Sequence, residues 1–259
     1  MGATKIEFRL RMAIMVAMVS LGFWAPWIEA WGIGRRTSLL GWLALGLVRL
    51  GLGSFAVAAP AAIAAAALIA AAGVALRVWG TAYLGPFTVN HGQMKAGAVL
   101  AEGPYRHVRN PLYLGSWLVF AAMAFLMPVS GALIAMVLLT AFLLRLILGE
   151  EAFLAGQLGE TYRSYLRAAP RLLPRFGGGA ASANLELPGL EAVARQPQWL
   201  RAVLSELFPI GVFLTLAFLS WSYDNWLMTR GVIVSLGVSL VVRALLPASR
   251  QESGLRRRT

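Results

Sequence analysis

Residues 103–115, with the sequence GPYRHVRNPLYLG, concentrate side chains that could bind an anionic ligand. Asn110 is a preferred N-cap and Pro111 suits the first helical position, so a helix is predicted to begin at Pro111. Two arginines and a histidine then lie at the positive end of that helix, where unpaired backbone N–H groups already attract anions. Cations are unfavourable there unless an anionic group balances them. The spacing therefore predicts a binding site for a negatively charged ligand.

The composition is that of an integral membrane protein. The chain of 259 residues is 59% hydrophobic and 13% charged, with a mean hydropathy of +0.70, whereas soluble domains carry roughly 25% charged residues. It has no cysteine and two histidines, so neither disulfides nor a metal site is predicted. The formal charge of +12 comes from basic residues that flank apolar segments. These residues indicate contacts with membrane lipids rather than with nucleic acid.

Apolar segments long enough to approach a membrane span recur along the chain, since about 20 residues cross the hydrocarbon core. The candidates are 12–31, 38–53, 56–82, 112–127, 131–148, 207–222 and 231–246. The third is rich in alanine, which favours close helix packing through small side chains. The sequence therefore predicts an all-α fold, a polytopic transmembrane helical bundle of about six to seven spans.

The stretch 150–170 differs from these spans because apolar and charged residues alternate at helical spacing. Its apolar positions are Phe153, Leu154, Leu158, Tyr162, Tyr165 and Leu166. This pattern predicts an amphipathic helix that continues from the preceding span, lies at the membrane interface and stops at Pro170.

Basic residues are distributed unequally between the connections of the predicted bundle. They cluster in 83–111, in 150–206 and in the C-terminal tail, whereas the intervening turns hold a single arginine. Such clusters are retained in the cytoplasm, so all three segments are predicted on the cytoplasmic side of a multi-pass protein. The orientation of the first span stays open, because basic residues stand at both of its ends.

One ordered set of residues runs from the loop, across the apolar hairpin, into the amphipathic helix. It consists of Gly103, Tyr105, Arg109, Asn110, Pro111, Tyr113, Gly115, Glu150, Glu151, Leu154, Gly159, Tyr162, Tyr165 and Pro174. In order and spacing the set resembles the C-terminal half of the isoprenylcysteine carboxyl methyltransferase family and, more distantly, the phospholipid methyltransferases. The resemblance covers about residues 75–175. An ordinary basic juxtamembrane segment would account for the loop alone, but not for the glutamates and tyrosines in register behind it.

The resemblance implies transfer of a methyl group from S-adenosyl-L-methionine to a lipophilic acceptor, either a lipid or a prenylated, isoprenylcysteine carboxylate-like molecule. The cofactor would lie between the membrane helices and the polar C-terminal segments, and the acceptor would enter from the bilayer. By position, the implied cofactor contacts are Asn90, Val99, Leu100, Tyr105, Arg106, Asn110, Pro111, Leu112, Tyr113 and Glu150. Arg109 and Arg145 are the implied catalytic residues.

The chemistry of these side chains agrees with such a cofactor. Arginine pairs well with a carboxylate, and a glutamate such as Glu150 accepts hydrogen bonds from an amino group or ribose hydroxyls. Aromatic rings can face adenine or the sulfonium. Methyl transfer from a sulfonium requires alignment and exclusion of water, which a membrane-buried pocket supplies without a metal.

Two positions depart from the family pattern. Asn110 stands where the family has histidine, so it keeps hydrogen-bonding capacity but cannot carry a proton. The arginine that the family places four residues before the first glutamate is replaced by Leu146, and Arg145 lies one residue away. The acceptor therefore need not be a prenylcysteine carboxylate.

The predicted organisation divides the chain into four parts: N-terminal transmembrane helices at 1–82, a methyltransferase-like core at 83–176, a linker at 177–206, and a C-terminal hairpin with a basic tail at 207–259. Two other functions stay open. One is an NADPH-dependent membrane reductase related to sterol reductases. The other is a non-catalytic membrane protein of the same fold, which the asparagine in place of the family's histidine would favour.

Overall fold

The computed structural model describes residues 2–24, 37–85, 99–175, 196–219, 222 and 224–245. Its α-helices are α1 (Lys5–Arg9), α2 (Arg11–Phe23), α3 (Leu39–Arg49), α4 (Phe55–Leu84), α5 (Pro111–Ala124), α6 (Val129–Ala168), α7 (Trp199–Ser205), α8 (Leu207–Leu214) and α9 (Asn225–Leu245). A 3₁₀ turn at Gly103–Arg106 precedes α5, and a π-helical turn at Thr215–Leu219 continues α8. No strand occurs within the described ranges, so the all-α prediction is confirmed.

Fewer helices are long enough to cross a membrane than the hydropathy runs predicted. Among the described residues, α4, α6 and α9 meet the length and composition required, and α7 with α8 would form a fourth span bent by 69°. The apolar helices α2, α3 and α5 have only 10–17 residues. At about 1.5 Å per residue such helices fall short of the roughly 30 Å hydrocarbon core. The predicted count of six to seven spans is therefore not confirmed.

Helices α4 and α5 approach each other closely because both present small residues. A Cβ atom built on Gly115 would lie 2.8 Å from the carbonyl oxygen of Gly73 and 2.6 Å from Cγ of Arg77. The small residues that α4 buries include Ala58, Ala59, Ala62, Ala66, Ala70, Gly73 and Gly80. Small residues let helix backbones pack at short distance in membranes, as predicted for this alanine-rich segment.

We expect Gly115→Ala to destabilise the protein by about 1–2 kcal/mol, because the added methyl group overpacks the contact between α4 and α5. The matched control is Gly46→Ala in α3, where a Cβ atom would meet no atom within 4 Å. That variant is expected to be neutral or stabilised by up to about 1 kcal/mol through helix propensity. Equilibrium unfolding in mixed detergent micelles measures both changes. Equal stabilities for the two variants would contradict the close packing described here.

The turn between α5 and α6 is held by other parts of the bundle. The turn lies at residues 125–128 and Val129 already begins α6, whereas the predicted spans 112–127 and 131–148 left residues 128–130 for it. The backbone N–H groups of Leu39 and Leu40 donate to Met127 and Phe125, at 2.8 and 2.9 Å. The first N–H groups of a helix and the last carbonyls of another lack partners within their own helices. Here the start of α3 and the end of α5 satisfy each other.

Helix α6 positions both the bundle core and the polar segment after it. It runs for 40 residues with a single break at Gly159, whose φ of +58° is accessible to glycine without steric cost. The predicted amphipathic stretch forms its last part and ends before Pro170. Its apolar face packs against the chain just before the 3₁₀ turn, in a cluster of Val99, Ala101, Leu154, Ala155, Leu158, Tyr162, Tyr165, Leu166 and Ala169.

The three C-terminal helices pack on the bundle. The largest apolar core contains residues of α2, α4, α5 and α6 together with Val212 of α8 and Met228 and Val232 of α9. Helices α7 and α8 both contact α4. The division of the chain at 177–206 and 207–259 stays a prediction, but the C-terminal helices share an apolar core with the segments before it.

Candidate functional site

Glu151 is the buried carboxylate at the centre of the polar contacts around the predicted loop. Its side chain is 7% exposed and accepts from Nη2 of Arg171 at 2.9 Å. Nε of Arg109 lies 3.5 Å from one carboxylate oxygen, and Nδ2 of Asn110 donates to the same oxygen at 3.2 Å. The negative charge that the arginines of this loop require is therefore supplied, at least in part, by the protein itself. A buried charge is stable only when it is paired in this way.

Backbone contacts fix the loop to the segment that follows α6. The N–H group of Arg109 donates to the carbonyl oxygen of Pro170 at 2.8 Å, and its Nη1 donates to that of Leu166 at 2.9 Å. The N–H group of Arg175 donates to the carbonyl oxygen of His107 at 3.1 Å. The loop before α5 and the chain after α6 thus form one polar layer at the same end of the bundle.

Asn110 does not act as the side-chain cap that the sequence predicted. Helix α5 does begin at Pro111, but the Asn110 side chain makes no capping hydrogen bond. Its amide nitrogen donates instead to Glu151 and to the carbonyl oxygen of Arg171, both at 3.2 Å. The predicted start of α5 is confirmed, but the capping bond is absent. A cap would need the side-chain oxygen to accept from the helix backbone, whereas donation from Nδ2 to a charged carboxylate is a stronger bond and orients the amide.

Tyr105 anchors the 3₁₀ turn between α4 and α6. Its hydroxyl lies 3.5 Å from the carbonyl oxygen of Gly80, and its own carbonyl oxygen accepts from the Tyr165 hydroxyl at 2.8 Å. Burial raises the pKa of the Tyr105 phenol well above its ordinary value, so the ring stays neutral. Gly103 is required beside it, because its φ is +55° and a Cβ atom would lie 2.6 Å from the Tyr83 ring.

Glu150 contacts a different partner from its neighbour Glu151. The Tyr113 hydroxyl, one turn into α5, donates to Oε2 of Glu150 at 2.8 Å. The antiparallel packing of α5 and α6 therefore brings Glu150 to the start of α5.

The remaining predicted cofactor residues lie at different depths around this layer. Val99 is buried in the cluster under the amphipathic helix, Leu100 is half-buried, and Arg106 is exposed. Leu112 is half-buried, and its carbonyl oxygen accepts from Arg77 at 3.3 Å. Asn90, also predicted to contact the cofactor, lies outside the described residues.

Arg145 is held by the N-terminal segment. Its Nη2 lies 2.9 Å from Oε1 of Glu7, and its carbonyl oxygen accepts from the backbone of Ala3 at 2.8 Å. The backbone N–H of Thr4 holds the pKa of the Glu7 carboxyl below its usual value, which keeps the partner charged. Leu146, where the family pattern has arginine, is fully buried. A cation one residue earlier on the helix therefore points about 100° away from that position.

Sequence reasoning missed two residues of this region. Glu151 was placed in the family pattern but given no role, whereas it binds three polar side chains of the loop and of the following segment. Arg171 was counted only among the basic residues of segment 150–206 that indicate the cytoplasmic side. The signal was available in the glutamate pair itself, because adjacent helical residues point about 100° apart and must contact different partners.

A second polar cluster, also missed, lies between α4, α5 and the end of α7. Glu206 is fully buried and forms an ion pair with Arg77, with Nε 2.6 Å from Oε2. The Thr81 hydroxyl donates to the other carboxylate oxygen at 2.7 Å, and Arg77 also donates to the Ser116 hydroxyl. The sequence signal was an acidic residue directly before an apolar run, since ionisable groups at membrane depth are rarely unpaired.

Metal ligands are not grouped within the described ranges. No set of three or more histidine, cysteine, aspartate or glutamate side chains there could hold a metal ion.

Comparison with known proteins gives one match. Residues 61–161 match the family model of the phospholipid methyltransferases. No curated protein and no solved structure matches the chain. The matched segment runs from α4 through the loop and α5 into the amphipathic part of α6, so it includes both glutamates and Arg109, Asn110 and Tyr113, but not Arg171. Together with the apolar helices, the match indicates an integral membrane protein. The match places residues 61–161 with the phospholipid methyltransferases, which are of the same membrane methyltransferase family as the isoprenylcysteine carboxyl methyltransferases that the sequence resembles.

Proposed function

We propose that the protein transfers a methyl group from S-adenosyl-L-methionine to a lipophilic acceptor, at the cytoplasmic boundary of the membrane that it crosses several times. The methyltransferase domain supports the reaction class. The observation that supports a cofactor site is the meeting of the loop, the first turn of α5 and the glutamate pair at one end of the bundle. A polar layer next to apolar helices suits a charged cofactor and an acceptor that arrives from lipid.

Within this proposal, the two glutamates have different roles. Glu151 neutralises Arg109 and holds Asn110, and so keeps the loop in place. Glu150 accepts from Tyr113 through Oε2, and its other carboxylate oxygen can accept from the cofactor's amino group or ribose hydroxyls. Arg106, exposed on the loop, is suited to the cofactor's carboxylate.

For the reaction with the acceptor, the proposal assigns a direct contact to Arg145 and a positioning role to Arg109. Arg145 is 41% exposed at its side chain and lies one and a half helical turns before Glu150, where it could contact the polar group of an acceptor. Arg109 would act by holding the loop against α6. S-adenosyl-L-methionine supplies an electrophilic methyl group on a sulfonium. The protein's part is to align the acceptor's lone pair behind that methyl group and to exclude water.

We expect the purified protein to bind S-adenosyl-L-methionine or its demethylated product with a micromolar dissociation constant, roughly −8 kcal/mol. Glu150→Gln should weaken binding by about 1–3 kcal/mol, because it removes a charged acceptor while preserving shape. Isothermal titration calorimetry in detergent measures both. Glu102→Gln, near the same loop, is the control and should bind normally.

The same experiment tests the competing functions. Heat on addition of NADPH, with none for S-adenosyl-L-methionine, would replace this proposal by a membrane reductase. If S-adenosyl-L-methionine binds, incubation with methyl-labelled cofactor and a membrane lipid extract identifies the acceptor. Cofactor binding without any labelled product from lipid or prenylated peptide would indicate a non-catalytic protein of this fold.

A further inference from the structure

The polar cluster around Glu206 joins the C-terminal helices to the methyltransferase domain. Glu206 stands between α7 and α8, outside the segment matched by the family, and is fully buried. Both of its carboxylate oxygens bind Arg77, at 2.6 and 3.0 Å, and Thr81 donates to one of them at 2.7 Å. Its partners all belong to consecutive turns of α4. A buried charge with this many partners fixes the two segments relative to each other.

A second contact lies just before the start of α7 and close to the end of α4. The N–H group of Gln198 donates to the carbonyl oxygen of Ala82 at 2.9 Å. The Trp199 ring packs edge-on against the Tyr83 ring, with centroids 6.5 Å apart. Residues 198–206 therefore lie along the last two turns of α4 and contact it at both ends.

The same two turns of α4 also contact the loop of the candidate site and the start of α5. Gly80 accepts from the Tyr105 hydroxyl, and the Tyr83 ring fills the space beside Gly103. Arg77 reaches the first turn of α5, where it donates to the carbonyl oxygen of Leu112 at 3.3 Å. Each contact made by residues 198–206 thus lies on a residue that supports the loop or the start of α5, or beside one.

We infer that Glu206 is a positioning residue for the methyltransferase site. It acts through Arg77 and Thr81, which set the end of α4 and the first turn of α5. The consequence for cofactor binding rests on the proposed function, whereas the consequence for the loop's stability does not. Residues 198–206 are then required to position the methyltransferase site, although the family match ends before them.

A purely structural role makes a different prediction from a positioning role. Removing one member of a buried ion pair leaves an unpaired charge, whereas replacing both by apolar residues of similar size often restores stability. If the pair only holds helices together, the double replacement should restore the unfolding temperature, the hydrogen-exchange protection of the loop and the affinity for the cofactor. If it positions the site, the double replacement should restore stability but leave the loop loosely held.

The experiment compares Arg77→Met, Glu206→Met and the double variant in the full-length protein in detergent. Both single variants should unfold at lower temperature, and the double variant should return close to the original protein. In the double variant, backbone amides of residues 99–110 and 112–116 should exchange hydrogen about tenfold faster, equivalent to 1.4 kcal/mol of lost protection. Its dissociation constant for S-adenosyl-L-methionine should rise by a similar factor.

Asp224→Ala is the control for general destabilisation of the C-terminal helices. Asp224 accepts from the backbone N–H groups of Trp226 and Leu227 at the start of α9 and takes no part in the ion pair of Arg77 with Glu206. It should lower the unfolding temperature while exchange at 99–116 and cofactor affinity stay unchanged. Unchanged exchange at 99–116 in a stably folded double variant would overturn the inference. Failure of the original protein to bind the cofactor would overturn the proposed function instead, since the exchange measurement does not need it.

Discussion

Glu151→Gln is expected to lower the free energy of unfolding by about 3 kcal/mol or more, because it leaves the buried Arg109 charge without its carboxylate. The substitution preserves the shape of the side chain, so the loss reports the charge rather than a cavity. Arg109 is 10% exposed at its side chain and depends on Glu151, whereas Arg171 is 44% exposed and can be solvated. Cofactor binding should be lost with the order of the loop. Equilibrium unfolding in mixed detergent micelles and calorimetry measure the two effects.

The control for this prediction is Glu160→Gln on the same helix. Glu160 pairs with Arg163 and Arg167, but all three side chains are more than 60% exposed. Exposed ion pairs contribute about 0–1 kcal/mol, so this variant should unfold almost like the original protein. If the two glutamine variants were equally stable, the carboxylate of Glu151 would not be the buried centre of the polar layer.

Asn110→Asp is expected to cost roughly 1–3 kcal/mol in stability and to weaken cofactor binding by a similar amount. The new carboxylate would lose the donor that Asn110 now directs at Glu151 and at the carbonyl oxygen of Arg171. It would also place a second negative charge beside a buried one. Unfolding in detergent micelles and calorimetry with S-adenosyl-L-methionine measure these losses.

Two further substitutions at the same position separate its possible roles. Ser caps a helix about as well as Asn and Asp, so a capping role predicts nearly equal stability for all three. Because the Asn110 side chain makes no capping bond, we expect Ser to lie between Asn and Asp. Asn110→His supplies a ring N–H donor and should keep the fold and cofactor binding. Equal stability of the Asn, Asp and Ser forms would contradict the bond to Glu151.

Local chemistry in the sequence determined most of the helices. Proline cannot continue a helix but suits its first position, so α5 begins at Pro111 and α6 ends before Pro170. The alanine-rich run indicated close packing, and the contact of Gly73 with Gly115 confirms it. The helix boundaries depend on residues within a turn of each other, and the small residues recur along one helix, which is why the sequence alone indicates both.

The length of the spans was the part of the fold that hydropathy did not determine. A span predicted from hydropathy takes the whole apolar segment, wherever the helix inside that segment ends. The run 112–127 contains α5 only to Ala124, because the following residues turn and their carbonyls bind the start of α3. Hydropathy measures the apolar character of a segment, whereas the end of a helix depends on which groups satisfy its last carbonyls.

The partners of the polar side chains were decided by the tertiary structure alone. The sequence indicated a loop and a glutamate pair, but Asn110 binds Glu151 across 41 residues, and Arg77 binds Glu206 across 129. A buried charged or amide group takes the strongest partner that the packed helices place within reach, even at the expense of a local bond such as a cap. Sequence spacing specifies which groups are available, and only the packing of helices distant in sequence specifies which of them meet.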